Sequence, residues 1–188
     1  MQKMQAAPTP IPKVYADRKL WFSMWFLGAV VTFGVAFFPM FYRLVEGRNR
    51  HFAHEADVEA KVASYLKAQG KQQPTSPVHK PRNSAVWAAS IILVIPAFVI
   101  VYLLSKDLAV HEREQDAFLL SAFPQRMFMT QTIPIKTYVV ITILTLGVGG
   151  IYWLYKLVNL YNAHFKADLQ VEKQIATLME EQKTVEHM

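Results

Sequence analysis

The chain repeats a piece of itself. Residues 145–165, TLGVGGIYWLYKLVNLYNAHF, match residues 32–52, TFGVAFFPMFYRLVEGRNRHF, at a fixed offset of 113. Nine of the twenty-one positions are identical: Thr32/Thr145, Gly34/Gly147, Val35/Val148, Tyr42/Tyr155, Leu44/Leu157, Val45/Val158, Asn49/Asn162, His51/His164 and Phe52/Phe165. A repeat of this kind sets the fold before any other feature, because both copies must solve the same packing problem. The match continues past the signature. The apolar stripe Val58, Val62, Tyr65, Leu66 falls on Val171, Ile175, Leu178, Met179 at the same offset. A fainter third copy lies between them: Tyr42–His51, Tyr102–His111 and Tyr155–His164 are each nine residues apart, with a leucine two residues after each tyrosine.

Each copy opens inside an apolar run. Residues 20–41, 85–104 and 137–155 hold no Asp, Glu, Lys, Arg or His, and run for twenty-two, twenty and nineteen residues. About twenty apolar residues in a helix cross a bilayer core of roughly 30 Å. The expectation is therefore an all-α protein with three transmembrane helices, the first and third continuing beyond the membrane as parallel amphipathic helices. Trp21/Trp25 and Tyr152/Trp153/Tyr155 read as interface belts. The first run is too long, and lacks the small-residue site, to be a removable signal segment.

The divisions that follow are a polar lead over 1–19, a first helix with extension over 20–69, and a proline-bearing linker over 70–84. A second helix with a charged, interfacial continuation covers 85–123, a connector 124–136, the third helix with extension 137–183, and a tail 184–188. Gly28, Gly34, Gly147, Gly149 and Gly150 are expected to let helices approach closely in lipid. The stripes Val58, Val62, Leu66 and Val171, Ile175, Met179 are expected to pair with each other or face a partner.

Composition removes many chemistries. There are no cysteines, so thiolate metal sites, disulfides and cysteine nucleophiles are excluded. No phosphate-binding loop, dinucleotide fingerprint, Ser/His/Asp pattern or zinc-protease motif occurs, so no catalytic residue is assigned and the chain is not read as an enzyme by itself. The net charge of +6 is mixed with acids and suits anionic lipid headgroups better than nucleic acid. With spans crossing three times, twelve Lys and Arg fall on the side of the extensions and eight on the other. The positive-inside rule then puts the extensions and the C-terminus in the cytoplasm of a multi-pass plasma-membrane protein.

His51, His54 and His164 form the candidate metal set, His51 and His54 sharing a helix face with Glu55. The competing reading is a structural polar layer in which Asn49, Asn162 and the histidines bond across helices. His111, on the far side of the membrane in this scheme, reads as part of a solvated face with Glu112 and Glu114. No cofactor is assigned beyond bound lipid.

The string TLGVGGIYWLYKL, followed by Asn162, His164 and Phe165, resembles an uncharacterised family of small prokaryotic membrane proteins. That family carries a T-L-G-I-Y-x-x-Y-W-L-Y type signature at the end of a span, often duplicated. The likeness covers roughly residues 85–180, with YLLSKDLAVHEREQDAF similar to the stretch between spans in archaeal members. Phe37, Pro39 and Met40 depart from the pattern in the first copy. The resemblance implies membrane location and an archaeal source, and carries no catalytic residues. The resulting functional expectation is an accessory, structural subunit of a larger membrane complex, such as a respiratory or copper membrane monooxygenase complex. Its partners would be other membrane subunits and the lipid bilayer, with no nucleic acid. The alternatives are a metal-binding or metal-delivering membrane protein, and an adaptor that recruits a soluble partner.

Overall fold

The computed structural model describes residues 18–71, 79–123 and 133–186. Most of the lead and connector, and part of the linker and tail, lie outside the described residues. The elements are α1 (Phe22–Val31), α2 (Phe37–Ala68), α3 (Ser84–Ser90), a 3-10 turn (Ile91–Leu93), α4 (Ile95–Ala122), α5 (Ile135–Leu144) and α6 (Val148–Glu186). The all-helical expectation meets a different architecture from the one the apolar runs suggest.

Every apolar run breaks in its middle. In the first, α1 stops at Val31, and Phe33 and Gly34 turn to φ +49° and +93° before α2 begins. In the third, Leu146 and Gly147 sit at +50° and +97° between α5 and α6. The middle run breaks at Val94, φ +61°, which is sixty residues after Gly34 and fifty-three before Gly147. Successive left-handed residues end a right-handed helix and reverse the chain, which is why glycine recurs at the second position. Each outer run is thus a helical hairpin. Arg43 on α2 lies over the Trp25 ring of α1, and Tyr138 on α5 stacks on Trp153 of α6.

The expected three transmembrane helices are therefore corrected. A run of twenty apolar residues folded on itself reaches only about half as far as a straight one. Among the described residues, no helix is long and apolar enough to cross a membrane. The multi-pass plasma-membrane placement, the integral-membrane character read from spanning helices and the two-sided topology fall with the spans, since counting charge per side assumed three crossings.

Three copies of one unit result, each a short helix, a break and a long helix. The long helices α2, α4 and α6 run the same way and pack around a common axis. Their layers are made of equivalent residues: buried Met40, Ile100 and Trp153, then Leu44, Leu104 and Leu157, then His51, His111 and His164. Short helices bridge neighbouring units. Asn162 on α6 clamps the lead into α1, accepting from Leu20 N (3.0 Å) and donating to Leu20 O (2.7 Å). Asn49 on α2 clamps the lead into α3 in the same way, through Arg82 N (3.0 Å) and O (2.7 Å). The third such position, by the sixty-residue offset, is Ala109.

The glycines divide by role. Gly34 and Gly147 supply the turns. Gly149 and Gly150 face Ile141 and Phe98 so closely that a Cβ would collide, while Gly28 lies against Ala36 with room for ordinary contact. The stripes find their cover inside the chain. Val62, Leu66, Ile175 and Met179 are buried together with Phe118 and Leu119 of α4, with Val171 packed against the cluster; Val58 is also buried.

Candidate metal centre

Nine residues after its tyrosine, each long helix turns a histidine onto the axis. His51, His111 and His164 are 0%, 2% and 5% exposed, which removes them from water and leaves each other as company. His51 Nε2 lies 2.9 Å from His164 Nε2. His111 Nε2 lies against Glu55 Oε2, and the same oxygen is 3.6 Å from His51 Nε2. One ligand atom from each of the three imidazoles falls within 4.8 Å of the others, and His51, Glu55 and Asp168 form a second such group.

The outer nitrogens are held as well. His164 Nδ1 lies 3.4 Å from Glu112 Oε1, and His111 Nδ1 lies 3.2 Å from His79 Nε2. His79 is in turn 3.5 Å from Glu114. A carboxylate or ring nitrogen on the far side of an imidazole fixes its tautomer and aims the other nitrogen inward, as around bound metals. Despite their closeness, neither Glu55 Oε2 nor His111 Nε2 makes a hydrogen bond of normal geometry.

One helical turn further, the repeat places Glu55, Gln115 and Asp168 on the axis. Gln115 Nε2 donates to Asp168 Oδ1 (2.6 Å) and to Glu55 Oε1. Beyond them lies a cavity of about 20 Å³, lined among others by Glu55, Glu59, Gln115, Asp168 and Glu172. That is room for one water or one ion. Phe165 packs against His51 at 4.7 Å between rings, and on the side away from that cavity the repeat places buried Arg48, Leu108 and Tyr161 next along the axis.

Burial governs the charges. It pushes the Glu55 carboxyl up to about 8, against the opposing pull of His164. It pushes His111 down to about 2, helped by the neighbouring His164 and His79. Asp168 is raised by burial and by the charge of Glu55. For His164 burial acts against the proton, but the Glu112 hydrogen bond and the charges of Glu55 and Asp168 outweigh it and raise its pKa. His111 is therefore a neutral imidazole through the physiological range, the form that binds a metal.

Of the expected set, His51 and His164 meet and His54 does not join them. His54 lies one turn away, its Nε2 2.7 Å from Glu172 Oε1. Its place is taken by His111, which is buried on the axis instead of in a solvated face, because α4 runs with α2 and α6 and not against them. Glu55 also belongs to the centre. The signal for His111 was in the chain: the nine-residue Tyr–His spacing recurs in all three copies.

The arrangement defines a class of site, a buried three-histidine, one-carboxylate cluster on a three-helix axis. No family model, curated protein or solved structure matches this chain, so the residues themselves carry the functional argument.

Proposed function

We propose that this protein binds a transition-metal ion through His51, His111 and His164, with Glu55 as fourth ligand. The observation that carries the reading is the convergence of one imidazole from each copy on a single buried point, with second partners behind two of them. Three nitrogens and an oxygen suit zinc, cobalt, nickel or copper, and four protein groups make a closed site of the structural kind. Metal–ligand bonds of about 2.0–2.1 Å in a tetrahedron put ligand atoms about 3.3 Å apart. The 2.9 Å between His51 and His164 has only to open slightly. An ion would also satisfy Glu55 Oε2 and His111 Nε2 together.

The test is cobalt and zinc titration of the untagged, metal-free full chain. A single ion per chain is expected, with cobalt absorption bands of a tetrahedral nitrogen–oxygen site. His51→Ala, His111→Ala and His164→Ala should each lose at least tenfold in affinity, while His54→Ala keeps it. A wild-type chain that binds these ions no better than the triple variant would show the cluster to be a proton-sharing structural layer.

A further inference from the structure

The three breaks lie at one end of the molecule, and that end is apolar on every side. Phe33 and Leu146, at the tips of the outer hairpins, are 99% and 96% exposed. Around them Val31, Val35, Ile92, Leu93, Ile95, Ile143, Leu144 and Val148 are also exposed. The tips enclose a cavity of about 660 Å³ lined by Phe33, Phe37, Val94, Phe98, Leu146 and Leu154, among others. An apolar end of this extent is not left to water.

The polar groups identify what covers it. Backbone exposed by a turn ordinarily bonds to water, but here the repeated threonines bond it internally. Thr32 Oγ1 donates to Gly28 O (2.7 Å) and accepts from Ala36 N (3.0 Å). Thr145 Oγ1 donates to Ile141 O (2.7 Å) and accepts from Gly149 N (2.7 Å). Gly34 N and Gly147 N donate to Ala29 O (2.6 Å) and Thr142 O (2.8 Å). Internal satisfaction of a turn is what hydrocarbon demands and water does not. Ten-residue arms such as α1 and α5 are about 15 Å long, which is half of a bilayer core. At the base of the arms Arg43 lies over Trp25 and Lys156 over Tyr152, the pairing of aromatic ring and cation found at headgroup depth. Arg18, Lys19, Arg43 and Arg50 line one groove there together with Glu46, which pairs with Arg50 at 3.1 Å.

We propose that this end of the protein is a wedge that inserts into one leaflet of an anionic phospholipid membrane. The hairpins enter and leave by the same face and do not cross. Acyl chains fill the space between the tips, and the basic groove takes a lipid phosphate. The first turns of α2 and α6 are the return arms of the hairpins; the rest of the long helices, beyond Arg43 and Lys156, and the histidine centre stay outside the hydrocarbon. The proposal is independent of metal binding.

The test uses the full chain exchanged from detergent onto preformed vesicles. Wild type should float with vesicles of phosphatidylcholine and phosphatidylglycerol, more strongly than with phosphatidylcholine alone, and stay bound in high salt. Phe33→Asn with Leu146→Asn should lose at least tenfold in vesicle affinity. Asparagine tolerates positive φ better than the residues it replaces, so the double variant should unfold in detergent at the wild-type temperature or above. The chain has no cysteine, so single labels are clean. A polarity-sensitive dye on Phe33→Cys should shift to the blue on vesicle addition, and one on Ser64→Cys should not. Wild type that stays off the vesicles, a double variant that binds like wild type, or a tip label reached by an impermeant quencher sealed inside the vesicles would each overturn the proposal.

Discussion

At the scale of residues, the centre is a buried set of groups whose proton balance should show in stability. The sign follows from each shift. Glu55 holds its proton up to about 8 when folded, but only to about 4.3 when unfolded. The folded chain therefore carries the extra proton between those values, and Glu55 makes stability fall as pH rises through the window. His111, lowered to about 2, acts in the opposite sense, but only up to its unfolded value near 6.5. His164, raised, adds to the fall above that point. Metal-free protein is expected to lose stability from about pH 6.5 to 8, on the order of 2 kcal/mol from Glu55 alone. Denaturant unfolding in the presence of chelator measures it. Glu55→Gln should flatten the slope, and a wild-type chain that gained stability over this range would contradict the account.

At the scale of elements, the recurring motif is a helix break closed on itself. Thr32 and Thr145 each serve as donor and acceptor across the turn, and Gly34 and Gly147 take the left-handed conformation. The middle copy does the same job with Val94 at φ +61°, ψ −56°, a conformation that a β-branched residue adopts only under strain. Val94→Gly should therefore stabilise the fold by about 1 kcal/mol, read as a rise in the midpoint of thermal unfolding. The clamps make the complementary case. Asn162→Ala leaves Leu20 N and O without the partners they have now, and is expected to cost roughly 1–3 kcal/mol. Its first symptom should be protease cutting near the start of α1 at temperatures where wild type resists.

At the scale of the whole molecule, three long helices arranged around an axis, two headed by hairpins and the third by the break at Val94, divide the chain into an apolar end and a polar stem. The stem brings one residue from each copy to every layer, so a small asymmetry becomes a site. The histidine layer is uniform. The next layer is Glu55, Gln115 and Asp168, and the glutamine ties the two acids together. Outside the layer, Arg48 and Arg82 share Asp107 at 3.1 and 2.8 Å, which pins α2 and the lead into α3 to α4. Burying Arg48 lowers its pKa, with Asp107 opposing; that carboxylate is what makes the buried guanidinium tolerable.

The sequence by itself determined the helical class, the repeat and its period, and the residues that recur in it. Thr, Gly, Tyr, Asn and His at matched offsets are local facts, and they hold whatever path the chain takes. It could not decide direction. A straight helix and a hairpin place the same twenty apolar residues out of water, and hydropathy alone does not tell them apart. Only the tertiary structure shows three turns where three crossings were expected. Reversing each run makes α2, α4 and α6 parallel, and that single change moves His111 from an outer face to the axis beside His51 and His164. The candidate site exists because of that geometry, since three imidazoles far apart in the chain can meet only when their helices run the same way.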